Sequence, residues 1–532
     1  MQSRKRHAQY GTACSECSRT KSRCIAASPG SPCERCQRLG KECVASNNKR
    51  KQKSVSSQSS QSSQLEAKID GLVSLITNNN HAASTGLNTG NISLPVTLSL
   101  QVDSDLVSYV KGLCSSINED DILSNFTQTH HPHLPFLSLP SGRFPSSLCQ
   151  ETPFLWLCLV AVSQTHNLPQ EILNDKVRGV VAQRMVLNLE RNLELLQGLL
   201  VCIAWGNFQV HQRPFLTLFI QLANTIVFDL GLNQPPQTIS EAMLRLTIHR
   251  PWISATRTVE EQRAVVACYY LSSVVSSYMC RTDRLLWTPY LTTCLNDLSS
   301  TGVPGNLTLI SMVKTRKLLD KAFYSPPNSQ TSASEVPADF IAAVLRTELD
   351  KLSAEALGPT KDPLVLCHVT YASFAISEFA LFLPSLDPRH LHATYQSLES
   401  SFDVFLAFHP NEYPGFTLAE LYQLMHATLS TRKLVSQLST GAYDEQRVGK
   451  LASWYQQARH NLKDASMCPG AKADGRAAVL GKLAGMLESF RGGEIEASRH
   501  PADDGFDMGV VASDLVPGEE WLEVMDQFGW TF

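Results

Sequence analysis

Several features that a 532-residue chain often carries are missing here. There is no G-x-S-x-G, H-E-x-x-H, P-loop or G-x-G-x-x-G, so the usual hydrolase, zinc-protease and nucleotide-binding chemistries lack their signature residues, and no enzyme is expected. No run is long and apolar enough to span a bilayer. The greasiest stretches, around Phe154–Val162 and Ala264–Cys280, are too short or too studded with Ser and Tyr. Ser3-Arg4-Lys5-Arg6-His7 is followed by no apolar stretch, so no secretory leader is expected either. Alternating strand runs with hairpin signals are absent. Acidic residues are scarce at the head, where residues 1–53 hold thirteen Lys/Arg against three Glu, and basic ones are missing from residues 503–532, which hold eight Asp/Glu. The net charge of −3 conceals this polarity. A basic head predicts a polyanionic partner and an acidic tail predicts a protein partner.

What is present begins with cysteine. Six of the fifteen cysteines lie between positions 14 and 43: Cys14, Cys17, Cys24, Cys33, Cys36 and Cys43. An intracellular chain keeps its thiols reduced, so such a cluster predicts metal rather than disulfides. The spacing is C-x2-C-x6-C, an eight-residue loop, then C-x2-C-x6-C again. Two equal half-motifs predict a pseudo-two-fold unit, each half a tight C-x2-C turn entering a short helix that a third thiolate closes. Two separate tetrahedral sites need eight ligand positions, which six thiolates cannot fill. Two bridging sulfurs remove the deficit and give a cluster of two zinc ions. The rivals are one four-cysteine site (Cys14, Cys17, Cys33, Cys36) with two spare thiols, or a disulfide knot; only the cluster uses every cysteine at its spacing. So short a segment buries too little apolar area to fold alone, and the metal is expected to supply the difference.

Ser18-Arg19-Thr20-Lys21-Ser22-Arg23 fills the first x6 segment, three cations on a helix of about one and a half turns. The second half carries Arg35, Arg38 and Lys41 diluted by Glu34 and Glu42. The first half is therefore expected to face DNA bases and the second the backbone. With these residues the sequence resembles the fungal binuclear zinc-cluster transcription factors. The loop between the halves adds to the likeness, with Pro29 and Pro32 where the family usually has one proline. The resemblance implies that Cys14 and Cys33 bridge the metals and that the first helix enters the major groove. It also implies that Lys21, four residues after Cys17, contacts a short G/C-rich triplet, with Arg23 matching the usual basic residue before the third cysteine. Ser18 and Thr20 depart from the family, where Arg or Lys is common, and this implies weaker phosphate contact or an altered triplet. Lys49-Arg50-Lys51-Gln52-Lys53 suits nuclear import and extra phosphate contact, with Ser3–His7 a weaker candidate.

The rest reads as modules: a cluster domain over 1–50, a basic and Ser/Gln linker over 51–64, a short coiled-coil helix over 65–79, a flexible joint over 80–99, an all-α middle domain over 100–490 and an acidic-aromatic tail over 491–532. Leu65, Ile69, Leu72 and Ile76 recur at +4, +3, +4 and predict a dimer seam, though Gly71 weakens that helix by about 1 kcal/mol. A helix docking on its own middle domain is the rival; the resemblance favours a homodimer. In the middle region, Leu189, Leu193, Leu196, Leu200 and Ile203 follow the helical period. Pro214 is expected to open a helix that Gly231 stops, and Thr258-Val259-Glu260-Glu261 reads as a capping box ahead of Ala264–Met279. Residues 325–337 read as an exposed loop. Pro153–Ser163, Leu195–Asn207, Phe228–Asn233 and Arg263–Leu291 resemble the family's helical middle domain. Related regulators often serve biosynthetic or nutrient-use gene clusters, so the resemblance implies that role, here for a secondary-metabolite cluster. His130-His131-Pro132-His133 reads as a loop docking on the core rather than a metal site, and the nine remaining cysteines as small core residues. Asn91, Asn125 and Asn306 stand in glycosylation-type triplets that have no role without secretion. The tail interleaves acids with Phe506, Leu515, Trp521, Leu522, Met525, Phe528, Trp530 and Phe532, as an activation segment that meets a coactivator would; a helix packed on the middle domain is the rival. The expected whole is a nuclear, DNA-binding RNA polymerase II transcription factor. Its rivals are a zinc-dependent protein-interaction module that never touches DNA, and a ligand-processing enzyme with a DNA-binding appendage.

Overall fold

A computed structural model of the chain describes residues 14–19, 24–25 and 32–44 and, apart from 206–214, 237–255, 324–337 and several shorter stretches, residues 119–487 with a few positions before them. The expected linker over 51–64, dimer seam over 65–79, exposed loop over 325–337 and acidic tail lie outside the described residues. The chain divides into two compact units, Met1–Ser93 and Leu94–Phe532.

Among its described residues the first unit holds two short helices, α1 (Ser15–Arg19) and α2 (Glu34–Arg38), packed on each other. The spacing predicts C-x2-C turns that precede the helices. Instead each helix begins one residue after the first cysteine of its half, so Cys17 and Cys36 lie inside α1 and α2. The reason is visible at α2, where the Cys33 sulfur accepts the Cys36 N–H and so caps the helix from outside. The helix expected over Ser18–Arg23 is described only as far as Arg19.

The described residues of the second unit are mostly helical, with no strand among them. In chain order come α3 (Glu119–Asn125), α4 (Pro145–Glu151), α5 (Pro153–Ser163), α6 (Gln170–Val181), α7 (Leu193–Ala204), α8 (Leu216–Asp229) and α9 (Val259–Met279). After these follow α10 (Pro289–Ser300), α11 (Asn306–Phe323), α12 (Ala338–Ala356), α13 (Pro363–Glu378), α14 (Pro388–Leu406), α15 (Leu418–Leu438) and α16 (Glu445–Met467). The centre is α9, which packs on α7, α8, α10, α11 and α15. Ala264 to Leu271 are all buried, so this helix is apolar on every side and belongs inside the core. It starts where the sequence predicts. The Thr258 N–H donates to the Glu261 carboxylate at 2.9 Å and the Glu261 N–H donates to the Thr258 hydroxyl at 3.1 Å.

At α8 the stop is also as expected. Gly231 takes φ +62, its N–H donates to the Phe228 carbonyl at 3.1 Å, and the Leu232 N–H reaches the Val227 carbonyl at 2.9 Å. A side chain at that φ would be strained, which is why glycine ends the helix. The leucine stripe ahead of α7 departs from expectation. Leu189 does not belong to the leucine stripe: it has φ +56 and is 70% exposed, because α7 starts only after Asn192, whose side chain accepts the Leu195 N–H at 2.8 Å.

His130–His133 docks on the core as expected, but as helical turns rather than a loop. A π-helical turn (Phe126–His130) runs into a 3-10 turn (His131–His133) that carries Pro132 near its start. Behind it, the buried Arg263 guanidinium donates to the carbonyls of Phe136 at 3.1 Å and Leu137 at 3.3 Å, and also to that of Pro135. Trp205 donates its indole N–H to the Gly415 carbonyl at 2.9 Å. A Cβ on Gly415 would stand 1.9 Å from the Thr129 carbonyl oxygen, so only glycine fits where that turn meets the 126–130 segment.

Candidate metal centre

The two halves of the first unit are built alike and tied crosswise. The Ser15 N–H, just after Cys14, donates to the Val44 carbonyl at 2.9 Å; the Glu34 N–H, just after Cys33, donates to the Ile25 carbonyl at 3.0 Å. Ile25 and Val44 each follow the last cysteine of a half, so each half closes onto the other. Within each half the pattern repeats: the Cys17 N–H meets the Cys14 sulfur at 3.4 Å and the Cys36 N–H meets the Cys33 sulfur at 3.5 Å. The Cys33 N–H reaches the Cys43 sulfur at 3.3 Å.

This scaffold gathers the six thiols into two overlapping groups of four. One is Cys14, Cys17, Cys24 and Cys33; the other is Cys14, Cys33, Cys36 and Cys43. In each, the sulfurs lie within 4.8 Å of one another. Cys14 and Cys33 belong to both, which supplies eight ligand positions from six residues. The separations suit the ion. Cys14 and Cys33 stand 3.9 Å apart, Cys17 and Cys33 3.7 Å, and Cys14 and Cys36 3.7 Å. Four sulfurs at about 2.3 Å around a tetrahedral zinc would be about 3.8 Å apart, whereas a disulfide needs about 2.05 Å. All six cysteines are free thiols, so the disulfide knot is not what the chain forms. The set Cys14, Cys17, Cys33 and Cys36 is not one of the two groups.

The same contacts shift the thiols in opposite directions. The Cys36 N–H brings Cys33 down to about 6 against the pull of burial. At Cys14 burial pushes upward, but the Cys17 N–H and the neighbouring thiols outweigh it and leave the group more acidic than an ordinary cysteine. Burial pushes Cys17 up to about 12 and raises Cys36 as well. The two shared sulfurs are therefore the readiest thiolates, the form a metal binds.

Around this centre the expected DNA-facing cations differ in setting. Arg19 and Lys41 are exposed, at 69% and 51% of their side chains, and both reach the Glu16 carboxylate. Arg38 is exposed, and Arg35 is half-buried with its guanidinium donating to the Cys17 sulfur. Lys21 and Arg23 lie outside the described residues, as do Lys49–Lys53. The spacing of the cations alone does not reveal Glu16, the anion that stands between two of them.

The second unit offers no competing metal centre among its described residues. His131 donates its Nε2–H to the Leu137 carbonyl at 3.0 Å, and His133 stacks edge-on against Phe416. Both line a cleft of about 740 Å³ with Asp362 and Glu412. Those carboxylates have protein donors: Asp362 accepts the Leu364 N–H at 3.0 Å and the Thr308 hydroxyl at 2.7 Å, and Glu412 accepts the His409 N–H at 2.8 Å. Six of the cysteines outside the cluster, Cys149, Cys158, Cys202, Cys268, Cys294 and Cys367, are buried as core residues. Among the described residues no helix is long and apolar enough to cross a membrane.

Residues 12–53 match the fungal Zn(2)-Cys(6) binuclear cluster domain. Over 505 residues the chain is 29% identical to "Transcription factor opdL" of Penicillium oxalicum, covering 90% of this chain and 85% of the relative. Over 381 residues it is 26% identical to "Transcription factor himD" of Aspergillus japonicus, covering 67% of this chain and 62% of that relative. No solved structure matches the chain significantly.

Proposed function

We propose that this chain, a fungal zinc-cluster transcription factor that binds two zinc ions, holds them through Cys14 and Cys33 as bridges and reads DNA with the first half of the cluster. The observation that carries the reading is the overlap of the two thiol groups at those two residues alone. Cys17 and Cys24 complete one zinc site, Cys36 and Cys43 the other. Zinc bound there closes the cluster, where the buried apolar residues among those described are Cys14, Cys17, Cys33 and Cys36.

Lys21 makes the base contact, and Arg19, Arg23, Arg35, Arg38 and Lys41 contribute charge toward phosphates. Residues 65–79 pair two copies through Leu65, Ile69, Leu72 and Ile76, the residues from about 100 to 490 form a regulatory domain, and the tail meets a coactivator. The chain works in the nucleus by binding rather than catalysis, and the genes it serves are a secondary-metabolite cluster. Support for binding over catalysis is the absence of catalytic motifs, and both relatives are named transcription factors.

The test is a duplex titration of zinc-loaded, full-length protein at several salt concentrations, repeated after chelation. Salt-dependent binding that disappears with the zinc is the expected result. A zinc-dependent fold with no duplex affinity would instead make this a protein-interaction module. Mapping of bound genomic sites tests the gene set.

A further inference from the structure

Glu16 interrupts the basic surface of the cluster domain. It lies in the first turn of α1, and its carboxylate is gripped by Arg19 in fork fashion, Nε to Oε1 at 3.3 Å and Nη2 to Oε2 at 3.2 Å. Oε2 also faces Lys41 Nζ at 3.7 Å. Arg19 belongs to the first half of the cluster. Lys41 belongs to the second, anchored there by its N–H to the Cys36 carbonyl at 3.0 Å. One carboxylate thus draws one exposed cation from each half. The two-fold pattern shows how unusual the position is. Nineteen residues on, Glu16 corresponds to Arg35 and Arg19 to Arg38, so the second half has a cation where the first has an anion.

A carboxylate held by a guanidinium fork and an ammonium presents the geometry and charge of a phosphate contact. The geometry points to Glu16 as an internal stand-in for a DNA phosphate: it occupies Arg19 and Lys41 in the free protein, and the duplex must displace it to recruit them. This rests on the DNA-binding reading above. The device discriminates among sequences by strength of binding. A weakly held random duplex releases the two cations incompletely, whereas a duplex anchored by base contacts draws them across. Glu16 therefore lowers sequence-independent affinity most.

Glu16→Gln in the full-length, zinc-loaded protein tests this, titrated against a random-sequence duplex and against one carrying G/C-rich triplets. Random-duplex affinity at low salt should rise about threefold to tenfold, the scale of exposed ion pairs. The slope of log K against log salt should steepen by about one to two units, since each further phosphate neutralised adds about 0.9. Glu42→Gln removes the same charge from the same domain, and no ion pair is seen at Glu42 among the described residues, so its slope should match the wild type. Adding Arg19→Gln and Lys41→Gln to Glu16→Gln should cancel the rise. Native mass spectrometry checks that each variant keeps two zinc ions. Should Glu16→Gln lose zinc, Glu16→Asp, which keeps the charge but shortens the reach, should still give part of the rise. Equal slopes for Glu16→Gln and wild type, or weaker binding by Glu16→Gln, overturn the inference while leaving DNA binding intact. Failure of the wild type to bind either duplex removes the DNA-binding reading and the inference with it.

Discussion

Removing one cysteine from a shared position and one from an unshared position should have different consequences. Cys24 belongs to one group of four thiols, so Cys24→Ala leaves that group three ligands and the other group, Cys14, Cys33, Cys36 and Cys43, complete. Cys14 belongs to both, so Cys14→Ala leaves three ligands in each. A structural zinc contributes roughly 10–16 kcal/mol of folding free energy at neutral pH, and losing a thiolate from its shell removes a large part of that. Cys24→Ala should therefore retain one tightly held zinc and a destabilised cluster domain. Cys14→Ala should hold neither ion against a chelator and should leave the domain unfolded. The pair Cys43→Ala and Cys33→Ala should repeat the contrast in the other half. Native mass spectrometry of the full-length protein after chelator challenge reads the stoichiometry, and alkylation of released thiols gives an independent count. The same zinc number in Cys14→Ala and Cys24→Ala would refute the sharing of sulfurs, because separate sites would each lose one ion.

Three further outcomes are expected. Lys21→Ala should lose about 1–3 kcal/mol on the preferred triplet and little on random duplex, whereas Arg19→Ala, made in the Glu16→Gln background where no carboxylate competes for the guanidinium, should weaken both alike and reduce the salt slope by about one unit. Ile69→Asp with Ile76→Asp should abolish cooperative occupation of two half-sites in a two-site titration while sparing contact with a single triplet. In the second unit, Gly415→Ala should lower stability by about 1–3 kcal/mol in a denaturant titration, because its methyl group would meet the Thr129 carbonyl backbone, and the 410–415 turn must shift to admit it.

What the sequence displays well is local. The nineteen-residue repeat of the cysteines predicts two like halves, and the halves repeat each other's sulfur contacts. The capping box at Thr258 and Glu261 and the glycine stop at Gly231 are likewise legible, because each partner lies within a few residues of the group it satisfies. Leu189 shows where such reading overreaches. Its spacing fits the leucine stripe, but spacing says only that a helix could include it. Where the helix starts depends on which side chain captures the first free N–H, and Asn192 does so three residues further on.

The elements that could not be read off the sequence have partners far along the chain. Arg263 looks like an ordinary surface cation, yet it is buried against carbonyls some 126 to 128 residues away. Nothing in the composition near position 263 signals that the carbonyls at 135–137 converge on its guanidinium. Trp205 and Gly415 are 210 residues apart, and the glycine is required only because that indole and the Thr129 carbonyl converge on one turn. Glu16 lies between these extremes. Its bond to Arg19 spans three residues and could have been anticipated from helical spacing. Its reach to Lys41 could not, since that depends on α1 and α2 having packed around the cysteines first. The pairing of that anion with both halves is thus a product of the metal scaffold. Loss of zinc should scatter the two cations as well as the fold, so removal of the metal tests the charge arrangement and the cluster together.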